Sequence, residues 1–164
     1  MSRTTLIHRC EPDQWQRVRA LRLRALLDAP DAFSSGHSET ARLTERVWRE
    51  RLAGPRAATF MASVDGRDAG LAVGAPYGDT DAAGLFSMWT APEARRCGVA
   101  LALLEAVVDW ARAAAYRRML IDVVDANRAA VALYARAGFV PDGVTGTLPP
   151  PREHVTEHRR ERWL

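Results

Sequence analysis

At 164 residues, with 48% hydrophobic and 26% charged side chains, the chain has the size and composition of one globular domain, and it contains no apolar run of bilayer-spanning length. Its 23 basic residues are all arginine, but 20 carboxylates reduce the formal net charge to +3, which argues against a nucleic-acid surface. Cys10 and Cys97 stand at no metal-like spacing, and no apolar leader opens the sequence, so reduced thiols, no metal and a cytoplasmic location are expected.

A short strand is predicted from Thr4 to Arg9, and Glu11-Pro12-Asp13 marks entry to a helix. There Trp15, Val18, Leu21, Ala25 and Leu26 recur at three- and four-residue intervals, up to a stop near Asp28-Ala29-Pro30. Asp31 to Glu39 reads as a polar loop, and Thr44 caps a second helix carrying Val47, Trp48 and Leu52, closed by Gly54-Pro55. The period then changes to two. Ala57 to Val64 and Ala69 to Tyr77 are predicted strands joined through the hairpin pair Asp65-Gly66, and a third runs from Ala83 to Thr90. Beyond Pro92, the residues Ala100, Leu103, Leu104, Val107 and Ala111 form a helical stripe opposite Glu105, Asp109 and Arg112. Met119 to Val124 suits a buried strand, Asn127 to Ala137 a helix stopped by Gly138, and extension resumes at Phe139-Val140. A stiff Leu148-Pro149-Pro150-Pro151 segment precedes a last run, Thr156 to Leu164, expected as an edge strand.

Between the third of these strands and the striped helix lies Arg95-Arg96-Cys97-Gly98-Val99-Ala100. The first turn of a helix has amides with no intrahelical partner and a partly positive dipole end, so such a junction favours a phosphate. Gly98 permits close approach or a positive φ, Ala100 keeps the next contact small, and Arg95 and Arg96 add fixed positive charge. The spacing Arg-x-x-Gly-x-Ala resembles the pyrophosphate motif of the GCN5-related N-acetyltransferases (GNAT). A second block, Asn127, Ala130, Leu133, Tyr134, Gly138 and Phe139, is similar to that family's Asn-x-x-Ala-x-x-Leu-Tyr-x-x-x-Gly-Phe segment and follows in the family's order.

The resemblance implies an α/β fold over residues 1–164: one GNAT-like domain with a mixed, twisted sheet of six or seven strands, helices on both faces, and central strands splayed for the cofactor. It implies acetyl-CoA as acetyl donor and transfer to a primary amine of a small molecule or peptide through a ternary complex. No nucleic acid, membrane or metal enters, and a homodimer is left open. By resemblance, amides at Cys97, Gly98, Val99, Ala100 and Leu101 hold the pyrophosphate, and Met88, Trp89 and Thr90 pair with the pantetheine arm. Asn127 hydrogen-bonds that arm, and Tyr134 protonates the departing thiolate, a phenol of pKa about 10 facing a thiol of about 8.5. An amide near Trp89 or Thr90 polarises the carbonyl.

Each residue also has a plainer reading: Gly98 as a turn residue, Arg95 and Arg96 as solvated, Asn127 as a helix cap, Tyr134 as core, Trp89 as core or as the floor of an acceptor pocket. Many members carry a glutamate on the strand matching Ala83 to Thr90, and this strand has no carboxylate. The base is therefore open between ordered water, Glu39, His37 and Asp125. The loops Asp31 to Glu39 and Leu148 to Pro151 are expected to border the amine-binding mouth. A non-catalytic coenzyme A-binding regulatory module and a transferase of longer acyl chains are the competing readings.

Overall fold

The computed structural model describes residues 3–164. Among them seven strands form one sheet: β1 (Thr5–Arg9), β2 (Ala58–Val64), β3 (Arg67–Pro76), β4 (Ala83–Thr90), β5 (Arg118–Val124), β6 (Val140–Thr147) and β7 (Thr156–Trp163). Their order is β1-β2-β3-β4-β5-β7-β6, antiparallel throughout except for β4 beside β5. Five α-helices flank it: α1 (Trp15–Asp28), α2 (His37–Ala41), α3 (Glu45–Ala53), α4 (Val99–Ala113) and α5 (Arg128–Arg136). The mixed, helix-flanked sheet anticipated for the family is thus present, with seven strands.

The β2–β3 hairpin turns at Asp65 and Gly66, both at positive φ (49° and 79°), the two-residue geometry that matches the twist of its strands. Asp65 also ties down β1, accepting from the Thr4 amide at 3.0 Å.

α4 presses Val99, Leu103, Leu104, Val107, Val108 and Ala111 onto one face of the sheet, each at most 1% exposed. α1 covers the other face with Val18, Leu21, Ala25 and Leu26. Glycine in β3 sets how closely α4 can approach: a Cβ on Gly74 would lie 2.4 Å from the Trp110 ring and 2.9 Å from Val107.

Two sequence expectations change. Within the segment read as the loop Asp31 to Glu39, residues from His37 begin a short helix, α2, which is too brief to show a periodic stripe. The final run is not an edge strand, because β7 pairs with β5 along Arg118–Val124 on one side and with β6 on the other. Its continuous run of polar and charged side chains, Glu157 to Arg162, finds partners inside the fold: Arg159 with Asp142 at 2.6 Å and Arg162 with Glu105 of α4 at 3.2 Å. The edge falls to β6, whose Pro141 lacks an amide and whose Gly143 sits at φ 87°, features an interior strand tolerates poorly.

Replacing Gly74→Ala should destabilise the fold by about 1–3 kcal/mol through overpacking. Denaturant melts check this, and trimming Trp110→Leu in the same chain should recover part of the loss.

Candidate active site

The sheet opens at its centre. β4 and β5 are paired only at Ala83↔Met119 and Gly84↔Leu120, after which they diverge. Against β3, Phe86 stands opposite Val73 and Trp89 opposite Leu71, so β4 carries one extra residue, a bulge marked by Ser87 at φ 54°. The bulge leaves both Phe86 and Trp89 on the face covered by α1. The Ala91 amide bonds the Ala69 carbonyl at 2.8 Å. In an antiparallel ladder the bonding direction alternates, so Thr90, one residue earlier, turns its amide and carbonyl away from β3 into the gap. Its hydroxyl is buried and has no partner among the described residues.

At the end of β4 the chain turns through Pro92–Ala94 and enters α4. Arg96 (φ 59°) and Gly98 (φ 81°) are both left-handed, and Gly98 is the N-cap of α4. The first α4 amide bonded back into the helix is that of Ala102, which reaches the Gly98 carbonyl at 3.0 Å. The amides of Val99, Ala100 and Leu101 therefore lack intrahelical partners, and nothing lies within 4 Å of the position a Gly98 Cβ would take. Open space, free amides and a helix dipole meet at one point.

The other expected site residues are placed as follows. Arg96 and Cys97 are exposed on the same turn, and the half-exposed Arg95 guanidinium turns back onto the fold, donating from Nε to the Thr90 carbonyl (3.1 Å) and from Nη2 to Asp28 Oδ2. Met88 packs partly buried against the core, and Trp89, 5% exposed, donates from Nε1 to the same Asp28 oxygen at 2.9 Å. Burial pushes the Asp28 carboxyl upward, but hydrogen bonds from Trp89 and Arg95 and the charges of Arg95 and Arg24 outweigh it and hold the group below the usual carboxylate range.

Asn127 caps α5, its Oδ1 accepting from the Ala130 amide at 3.2 Å. Tyr134 lies two turns on, buried and packed edge-on against Phe139 with ring centroids 5.9 Å apart. No hydrogen bond engages its hydroxyl among the described residues, and burial pushes its pKa well above the ordinary value, so the phenol stays protonated.

Of the candidate bases, Asp125 is bonded to His158 Nδ1 at the end of β5. His37 and Glu39 line a cleft of about 560 Å³ together with Leu27, Ser35, Pro149 and Arg152. The two loops expected at an acceptor mouth therefore face each other, joined by Arg152, which donates to the carbonyls of Pro30 and Ser34.

Sequence reading missed Asp122. It is exposed on β5, two residues past the last β4 pairing, on the α1 face, where its Oδ2 accepts from the Tyr77 hydroxyl at 2.7 Å. Tyr77 stacks on Phe86, and burial, together with the bond to Asp122 and its charge, raises its phenol to about 12 against the opposing Arg159. Glu157 of β7 is also raised, first by burial and then by the charge of Asp122, with Arg152 opposing. A lone carboxylate inside the apolar run Met119 to Val124 is the signal that could have marked Asp122. Among the described residues no group of three or more His, Cys, Asp or Glu side chains is placed to hold a metal, and no helix is long and apolar enough to cross a membrane.

Residues 16–139 match the model of the acetyltransferase (GNAT) family, and the chain belongs to that family, whose members typically use acetyl-CoA. Solved structures with the same fold include a GNAT acetyltransferase from Streptococcus pneumoniae, 23% identical over 98% of this chain and 99% of that one, with a TM-score of 0.81. A GCN5-related N-acetyltransferase from Kribbella flavida is 24% identical over 98% of each chain, TM-score 0.75. The ribosomal-protein-S18-alanine N-acetyltransferase of Escherichia coli is 19% identical over 98% of this chain and 94% of its own, TM-score 0.70. No curated protein matches the chain in sequence.

Because Gly98 is left-handed, any side chain there is strained even though the space is open. Gly98→Ala should lose roughly 1–2 kcal/mol of stability. Gly98→Asn should lose less, since asparagine tolerates that conformation. Thermal melts of both variants check the order.

Proposed function

We propose that this protein is an acetyl-CoA-dependent N-acetyltransferase acting on a primary amine of a small molecule or peptide. One observation carries the reading. A strand edge left unpaired in mid-sheet runs directly into a helix N-terminus with free amides and an open glycine, which suits a ligand with an amide-bearing arm and a pyrophosphate. In this reading the amides of Cys97 through Leu101 face the pyrophosphate, the gap edge of Met88 to Thr90 takes the pantetheine amides, and the free Nδ2 of Asn127 is available to the same arm.

The bound thioester supplies the acetyl group. Asp122 then serves as the base that the strand Ala83 to Thr90 does not provide: it stands past the last β4–β5 pairing, on the α1 face, with a second carboxylate, Glu157, near enough to repel it. Both charges favour an incoming ammonium, and Asp122 takes its proton so that the nitrogen lone pair can attack the thioester carbonyl carbon. An unpaired amide of β4 polarises the carbonyl oxygen. As the carbon–sulfur bond breaks, Tyr134 donates its proton to the sulfur, and the surplus proton on the new amide nitrogen leaves to water or back to the Tyr134 phenolate. The high pKa of the phenol keeps its own proton in place until negative charge develops.

The decisive experiment is thiol release from acetyl-CoA across a panel of primary amines, preceded by calorimetric titration with free coenzyme A. Saturable binding and amine-dependent release are expected. Binding without release for any amine supports the regulatory-module reading instead, and no binding removes the cofactor assignment.

Tyr134→Phe removes a hydroxyl that has no protein partner, so stability should hold within about 0.5 kcal/mol while turnover falls about 10²- to 10⁴-fold. Melts and kcat, measured where chemistry limits the rate, separate this from a packing role, in which stability falls and kcat per folded molecule does not.

Asp122→Asn can still accept from Tyr77, so the fold and coenzyme A affinity should persist while kcat drops about 10²-fold. An unchanged kcat returns Asp122 to a surface role.

A further inference from the structure

Two parts of the proposed coenzyme A site belong to separate elements, the turn 95–98 and the free edge of β4, and one carboxylate ties them together. Asp28 ends α1, with its side chain 27% exposed. Its Oδ2 receives two donors, Nε1 of Trp89 at 2.9 Å and Nη2 of Arg95. Arg95 completes a circuit by donating from Nε to the Thr90 carbonyl at 3.1 Å, the carbonyl that faces the gap. Two of the three guanidinium nitrogens of Arg95 are therefore engaged within the protein. Arg24, one turn before Asp28, closes the arrangement from outside, standing 5.4 Å over the Trp89 ring and pairing with Glu93 at 2.7 Å.

The backbone explains why such a brace is needed. The turn following Arg95 carries two left-handed residues, Arg96 and Gly98, and the free amides of α4 point correctly only if that turn holds its path. Neither residue is locked by a side-chain bond of its own among the described residues. A planar guanidinium held at two points fixes both the position and the orientation of the residue where the turn begins, which an ammonium cannot do.

We infer that Asp28 is a positioning residue for coenzyme A binding, acting through Arg95 and Trp89 to set the turn 95–98 against the β4 edge, and that Arg95 is a strut of this brace and not a contact to phosphate. The inference rests on the cofactor reading above. It reverses the sign expected for removing an acid beside a phosphate site. If Arg95 touched phosphate, Asp28 would compete for it, and neutralising Asp28 would tighten binding.

The test is calorimetric titration of free coenzyme A into the wild-type chain, Asp28→Asn, Arg95→Lys and the double variant, with thermal melts to count folded protein. Asp28→Asn and Arg95→Lys should each weaken binding about tenfold, the scale of one lost charge-assisted hydrogen bond. The double variant should fall within about twofold of the weaker single, because the pair acts as one unit. Binding to Asp28→Asn weakened less than twofold, unchanged or tightened overturns the inference while leaving the cofactor reading intact, and so do losses that multiply in the double variant. A wild-type chain that does not bind coenzyme A overturns the cofactor reading and the inference together. If Asp28→Asn does not fold, Trp89→Phe, which removes one arm of the brace and leaves the carboxylate, takes its place, and affinity within twofold of wild type again overturns it.

Discussion

Parallel strands β4 and β5 share two paired positions and then part, and a sheet sustains such a gap only when other contacts hold each strand. β5 is held from its far side by β7 along its whole length, and β4 by β3, with the bulge at Ser87 bending it away. The unpaired groups that remain, the Thr90 amide and carbonyl among them, must bond to something, because buried backbone polar groups are costly when left alone. Part of the answer is internal, since Arg95 takes the Thr90 carbonyl. The rest is an edge that water or a ligand must satisfy. The gap ends at the first turn of α4, where the unmet need is for an acceptor of hydrogen bonds, so one opening asks for amide pairing along its length and an anion at its end.

How much of this was legible depends on whether the constraint is local. The turn Arg95 to Leu101 could be read because a left-handed glycine before an apolar helical stripe is written in consecutive residues, and Asn127 could be read as a cap for the same reason. The hairpin at Asp65-Gly66 belongs with them. α2 could not be read: five residues give no stripe. β7 reads as an edge strand because its residues Glu157 to Arg162 are all polar or charged, and only the fold supplies Asp142 and Glu105 as partners. The partners of Asp28 and Asp122 were hidden more completely. Asp28 meets Trp89 and Arg95 from 61 and 67 residues away, and Tyr77 meets Asp122 from 45, separations that no periodicity records.

β4 carries no carboxylate, and the proposed reaction assigns the base to Asp122 of β5 instead. In the proposed reaction the base stands on the neighbouring strand, two residues past the last β4–β5 pairing. Tyr77 bonds it there, and Glu157 adds negative charge beside it. Burial and then the charge of Asp122 raise the Glu157 carboxyl, and an incoming ammonium offsets that repulsion. The acid follows the opposite logic. Tyr134 has no charged partner, and burial alone raises its pKa, so the phenol keeps its proton.

The chain's basic side chains, apart from histidine, are all arginine, and several of them hold loops. Most of its ion pairs are partly exposed and contribute little individually. The arginines that reach backbone carbonyls act differently: Arg19 to Ala41, Arg49 to Pro12, and Arg152 to both Pro30 and Ser34. A charged donor to a carbonyl is worth more than a neutral one, and a fork that engages two carbonyls at once fixes a loop's path where a lysine would give a single movable contact. Arg152 therefore holds the proline segment 149–151 against the loop that leads into α2, and the cleft between them is completed by Leu27 of α1 and His37 and Glu39 of α2. In the proposed reaction the sheet gap takes the donor, and the arginine-held loops are the candidates for selecting the amine.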